Sequence, residues 1–222
     1  IVQDGLKRMY EDKEKVFYYI TSLNEDYPHP PMPKGVEEGI KKGMYRLKES
    51  TVDAKKNREV QLLSCGAILL QAERASQWLE EKGVKAHVWS VTSFSELRRD
   101  GLACERQDYL SAGDTDVIPY VTKLLNDTQG PIIAATDYMK AYADLIRGFI
   151  PEGRVYKTLG TDGFGRSDTR ENLRRFFEVD WQHIAWAAAV ELYKGKTVSL
   201  KELNAWRDEL SIDPSKPDPL YS

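Results

Sequence analysis

The stretch GTDGFGRSDTRENLRRFF, from Gly160 to Phe177, places three glycines within six residues ahead of a helical pattern. Backbone amides freed by glycines at a helix start can cradle a phosphate, so nucleotide or phosphate chemistry is the first reading to weigh. Asp162 and Asp168 flank the turn and would repel such an anion. The spacing differs from the dinucleotide fingerprint G-x-G-x-x-G, and no Lys-Ser or Lys-Thr pair follows. The stretch therefore reads as a structural turn, in which Gly163 or Gly165 adopts a backbone conformation closed to other residues. Asp168, three residues before Glu171, is expected to be the N-cap of the following helix.

Histidines and cysteines are the other residues able to do chemistry, and they are few. His29 lies among prolines and reads as solvent-facing. His87 alternates with Ala86 and Val88 in a strand pattern and reads as a partly buried structural imidazole. His183 follows Trp181 at a helix start and reads as a surface or cap residue. The three are too scattered to suggest a metal cluster. Cys65, in an apolar strand, and Cys104, in a charged helix, read as free thiols. There is no G-x-S-x-G elbow, no H-E-x-x-H pair and no C-x-x-C. Arg98-Arg99 and Arg174-Arg175 read as solvated or interface faces of helices. No catalytic, cofactor-binding or metal-ligating residue is assigned.

A chain of 222 residues with formal net charge −3 and interspersed signs suits one large or two small domains. That balance gives no reason to expect wholesale binding to nucleic acid or anionic membrane. No apolar run approaches the roughly 20 residues that span a bilayer, and no secretory signal pattern opens the chain. The first residue is Ile1 rather than Met, which fits a piece of a longer polypeptide.

The elements that must position these residues follow from periodicity. Val2, Leu6, Met9 and Tyr10 predict a helix over Ile1–Asp12, and KVFYYITSL, Lys15–Leu23, is rich in β-formers and predicts a strand. YPHPPMPKG, Tyr27–Gly35, holds four prolines in nine residues and must be an extended connector. GMYRLKEST reads as an edge strand. From Asn57 strand and helix alternate: EVQLLSCG is a strand, and AILLQAERASQWLEEKG a helix burying Ile68, Ala72, Ala75 and Leu79, with Gly83 as its C-cap. KAHVWSVTS is a strand, and Ser93 with Glu96 forms a capping box opening FSELRRDG. GPIIAATDY is a strand covered on both faces, followed by the helix YMKAYADLIRGFI with Asp137 as N-cap. RVYKTLGTDG is the last strand. WQHIAWAAAVELYKG and LKELNAWRDEL, capped by Ser199 and Glu202, are the closing helices, and SIDPSKPDPLYS is a surface tail. This alternation predicts an α/β, three-layer sandwich with a mostly parallel sheet.

From Asn57 onward the chain resembles the C-terminal domain of the transketolase superfamily of thiamine-diphosphate enzymes. The similar pieces are EVQLLSCGAILLQAERASQWLEEKGVKAHVWSVTSFSELRRDG and GTDGFGRSDTRENLRRFFEVD. Nearly end to end, through DGLKRMY, YYITSLNEDY, MPKGVEEGIKKGMY, VTSFSELRRDG and TDYMKAYAD, it is similar to the homodimeric bacterial pyruvate dehydrogenase (acetyl-transferring) components. The resemblance implies that residues 1–26 end a pyrimidine-binding domain, 27–56 form a linker and 57–222 a transketolase C-terminal-like domain. It implies a parent oxidoreductase of the pyruvate dehydrogenase complex that decarboxylates pyruvate and acetylates lipoyl groups. That parent would be a cytoplasmic homodimer partnered by the dihydrolipoyl acetyltransferase component, with neither nucleic acid nor membrane as a partner. Thiamine diphosphate and magnesium are implied for the parent, outside this stretch. The G-D-G motif and paired asparagines that bind them in the family do not occur here; TDGFGRS has Asp-Gly but lacks the preceding glycine. The stretch itself is then expected to be structural and inactive alone, supporting dimer and assembly. A stand-alone dimerisation or interaction module of the same fold is the alternative, and a free nucleotide-binding α/β enzyme a third reading that the flanking aspartates disfavour.

Overall fold

The computed structural model of the protein describes all residues except Asn24, His29, Pro30, Lys55 and Lys56. The reading of His29 therefore lies outside the described residues. Five strands form one sheet: β1 (Met44–Lys48), β2 (Glu59–Ser64), β3 (Lys85–Val91), β4 (Ile132–Ala135) and β5 (Tyr156–Leu159). Their order is β1-β3-β2-β4-β5, with β1 antiparallel to β3 and all other pairs parallel. The central strands are apolar runs because helices cover both of their faces. All four residues of β4 are buried.

Two hydrophobic layers result. On one face α3 (Ile68–Glu81), α8 (Trp181–Lys194) and α9 (Leu200–Glu209) enclose Val60, Leu62, Val88 and Ile133. On the other, α4 (Phe94–Leu110), α5 (Tyr120–Asn126) and α6 (Lys140–Asp144) enclose Leu63, Trp89, Ile132 and Ala134. The α3 face is the expected one, with Ile68, Ala72, Ala75 and Leu79 all at or below 1% exposure. Gly83 follows that helix at φ +76, the left-handed conformation that glycine tolerates. Ser199 and Glu202 make the expected reciprocal capping box on α9.

Several elements depart from the sequence expectation. Lys15–Leu23 has no regular structure, although its residue types favour a strand. A strand exists only where a neighbour accepts its hydrogen bonds, and among the described residues none is paired with this segment. Tyr18 instead packs on Gly5, and its hydroxyl donates to Asp4 Oδ2 at 2.9 Å. The first helix is split into α1 (Val2–Leu6) and a π-helical turn, Lys7–Glu11. Within 27–56, α2 (Glu37–Lys42) leads into β1, which is hydrogen-bonded to β3, so the sheet begins at Met44. The FSELRRDG pattern opens a helix that continues to Leu110, and Ser93 accepts from Glu96 N at 3.0 Å. The segment YMKAYADLIRGFI is shortened to α6 and a 3₁₀ turn, Arg147–Phe149.

Candidate functional site

The glycine loop leaves the carboxyl end of β5, the end of a parallel sheet where ligands bind in open α/β folds. Gly160 is its closest packing point: a Cβ there would lie 2.7 Å from both Lys140 N and Tyr138 O. Thr161 N donates to Tyr138 O at 2.8 Å, joining the loop to the turn after β4. Asp162 Oδ1 accepts from Lys140 N at 3.0 Å, and its second oxygen lies 3.6 Å from Lys140 Nζ. Gly163 takes φ +91, whereas Gly165 has no positive φ, so the conformational demand falls on Gly163.

This geometry corrects two capping assignments. Asp137 does not cap α6; Met139 occupies the N-cap position with no side-chain bond, and Asp162 supplies the missing acceptor from 22 residues away. Asp168 is not the N-cap of α7 (Arg170–Phe176). Thr169 takes that place and accepts from Asn172 N at 3.3 Å, so the cap lies one residue later. Asp168 Oδ1 accepts instead from Thr169 N at 2.6 Å and Asn172 Nδ2 at 2.8 Å, bonds that hold its carboxyl below the usual range. The amides of Lys140, Thr169 and Asn172, at the starts of α6 and α7, thus already meet side-chain oxygens of the chain.

A cavity of about 440 Å³ lies between β5, α8 and the C-terminal tail. Lys157, Gly160, His183, Trp186 and Leu220 are among its lining residues. Its charges are largely self-paired: Lys216 with Glu178 at 2.9 Å, Lys194 with Glu191 at 2.7 Å, and Lys140 with Asp162. Such balance gives no net field to draw in an ion.

Behind His183 of this wall lies a polar arrangement that the sequence reading did not name. Asp180 is the N-cap of α8, accepting from His183 N at 2.9 Å. The same oxygen lies 2.6 Å from His183 Nδ1, and Arg175 Nη1 lies 3.3 Å from the other. Burial alone would raise the Asp180 carboxyl, but the hydrogen bonds and charge of His183, aided by Arg175, outweigh it and hold the group ionised. His183 is therefore a buried partner of a capping carboxylate, not a surface residue. The signal was present: Asp180 stands three residues before His183, the N-cap to N3 spacing. An Asp–His pair can orient an imidazole for proton transfer. The one hydroxyl residue lining this cavity is Thr158, and no hydrogen bond joins it to His183 among the described residues.

The other chemically capable side chains lie elsewhere. His87 is 3% exposed, accepts from Ser50 N at 3.2 Å, and has its pKa lowered chiefly by burial, in keeping with a structural imidazole. Cys65 is buried with Sγ 3.2 Å from Thr136 Oγ1, and burial pushes its thiol up to about 11. Both cysteines are free. Among the described residues, no three His, Cys, Asp or Glu side chains come together to hold a metal ion, and no helix is long and apolar enough to cross a membrane.

Comparison with known proteins gives this arrangement a context. Residues 43–180 match the family model described as the transketolase-like TK C-terminal domain. Residues 1–30 match the pyruvate dehydrogenase E1 component middle domain. The chain is 48% identical over 221 residues to the pyruvate dehydrogenase E1 component of Pseudomonas aeruginosa, covering 99% of this chain and 25% of that protein. The protein of the same description from Escherichia coli K12 is 47% identical, with 99% and 24% covered. The chain thus spans about a quarter of the length of these curated relatives. Among solved structures, the transketolase from Leishmania mexicana is similar with a TM-score of 0.44 and 17% identity, covering 71% of this chain and 19% of that one.

Proposed function

The chain belongs to the transketolase-like C-terminal domain family, and on that footing we propose that it is the C-terminal quarter of the decarboxylating component of a pyruvate dehydrogenase complex. The observation that carries this reading is 48% identity along 99% of the chain to a protein of that description. The parent would decarboxylate pyruvate and deliver the acetyl group to a lipoyl group on a dihydrolipoyl acetyltransferase. Thiamine diphosphate supplies the carbanion chemistry in such an enzyme, and protein supplies orientation and proton transfer.

The residues of this stretch do not fit the diphosphate and its magnesium. Asp162 and Asp168 put carboxylates beside the loop, the amides of Lys140, Thr169 and Asn172 are engaged by Asp162, Asp168 and Thr169, and no acidic or imidazole cluster suits a cation among the described residues. No catalytic step is assigned to this chain. Its proposed role is structural: a packed α/β body that supports a homodimer and the assembly of the complex in the cytoplasm. Residues 1–26 would end the preceding domain, and the proline-rich segment would connect it to the sheet.

Two measurements test the reading. A chain of 25.4 kDa that is a quarter of its parent implies an intact protein of about 100 kDa. That protein should decarboxylate pyruvate with added thiamine diphosphate and magnesium, whereas the 222-residue chain should give no saturable heat in calorimetric titration with them. A native mass matching this chain alone would favour the stand-alone module, and micromolar binding by the chain would overturn the structural role.

A further inference from the structure

Helix α4 begins inside the domain and ends outside it. Phe94, Leu97 and Gly101 are buried against the core, and Phe149 lies so close that a Cβ on Gly101 would meet its ring at 2.5 Å. Beyond Gly101 no residue of the helix is buried. Leu102 to Leu110 therefore projects from the body for about 14 Å at 1.5 Å per residue. Short helices without packing are marginal in water. Yet this one carries exposed apolar side chains: Leu102 at 45%, Tyr109 at 82% and Leu110 at 64%.

At about 100° per residue, Leu102, Glu105, Arg106 and Tyr109 share one exposed stripe spanning roughly 100° of arc, which flanks the side buried through Phe94, Leu97 and Gly101. The stripe is self-complementary. Two copies laid antiparallel across a two-fold axis between residues 105 and 106 set Leu102 against Tyr109 twice and Glu105 against Arg106 twice. An isologous interface of a symmetric dimer has this reciprocity. Within the chain, neither Glu105 nor Arg106 forms a salt bridge among the described residues.

We infer that the projecting half of α4 is a contact between two copies of this chain, paired antiparallel with helix axes about 8–10 Å apart. The inference rests on the homodimer proposed above and names its contact. One stripe of this length falls short of the roughly 800 Å² per partner that a stable interface buries. In the 222-residue chain the association is accordingly weak and concentration-dependent.

The test is sedimentation of the chain over roughly 10–500 µM, the range in which weak association is read. Wild type should shift from monomer towards dimer. Glu105→Arg and Arg106→Glu each place like charges opposite one another and should weaken self-association by about tenfold or more. Mixed together, the two variants regain opposite charges at both positions and should form a heterodimer at wild-type concentrations, which a merely perturbed surface would not do. Circular dichroism and melting should be unchanged, because both residues are exposed. A wild type that stays monomeric across the range would overturn this inference, while the homodimer reading is decided separately by the native mass of the intact protein. A dimer indifferent to both substitutions would overturn only the α4 contact.

Discussion

Asp180 joins three interactions in one buried carboxylate, and its removal should be among the costliest polar substitutions in the domain. Loss of an N-cap costs about 0.5–2 kcal/mol. Loss of hydrogen bonds to a charged group costs about 1.5–3 kcal/mol. The terms share one side chain and are not additive, so Asp180→Ala should destabilise by about 2–4 kcal/mol. Asp180→Asn keeps a good capping oxygen for His183 N and loses only the charge facing His183 and Arg175, so it should cost about half as much. Urea unfolding followed by tryptophan fluorescence measures both, with Trp181 next to the altered site. The pH dependence has a fixed sign. The folded carboxyl is held below its unfolded value of about 3.9, so its stabilisation is fully present above that pH and is lost as pH falls through the lower folded value. The gap between wild type and Asp180→Asn should therefore hold from pH 7 down to about pH 4 and shrink only below it. Equal costs for the alanine and asparagine variants would refute the capping argument, and a gap that does not change with pH would refute the electrostatic one.

Other substitutions probe the loop, the connector and the thiols. Gly160→Ala forces a Cβ to 2.7 Å from two backbone atoms and should cost about 2–3 kcal/mol by urea unfolding. Gly163→Ala, at φ +91 but with its nearest atoms 3.2 Å away in the tail, should cost about 1 kcal/mol, and added phosphate should alter neither value. Limited trypsin digestion should cut first near Lys34 and leave a core that retains β1, since β1 is paired to β3; a first cut between Glu59 and Val91 would contradict the division of the chain. Iodoacetamide at pH 8 should modify the half-buried Cys104 before Cys65, whose thiol is raised to about 11 by burial, and mass spectrometry of the labelled peptides reads the order.

The sheet was the most legible part of the sequence, because a strand covered on both faces leaves an unbroken apolar run. PIIAA is such a run, EVQLLS is one interrupted by Gln61, and the helical spacing of Ile68, Ala72, Ala75 and Leu79 is as clear. Capping was legible where both partners are local, as in Ser199 with Glu202. It failed where the partner is remote: nothing near Met139 announces that Asp162 will accept from Lys140 N. Thr169 and Asp168 are both competent caps, and sequence alone could not decide between adjacent residues. Lys15–Leu23 misled because β-propensity describes a fit to a neighbouring strand that this segment does not have. Tyr120–Asn126 was not read as a helix, its short run lacking a side-chain cap. The pairing of Asp180 with His183 was written in the sequence at N-cap spacing, but burial of that pair is a tertiary fact.

The remote cap on α6 also bears on the order in which the domain forms. This helix has five residues, no cap of its own, and a first-turn amide satisfied only when Asp162 arrives from beyond β5. During synthesis its sequence leaves the ribosome before the strand and loop that complete it. Closing that long-range contact carries a loop entropy that a local cap avoids. Helix α6 should consequently consolidate after β5 has docked on β4, with φ-values near zero in the transition state, while α3 and the β2–β3 pair that it bridges form the early nucleus.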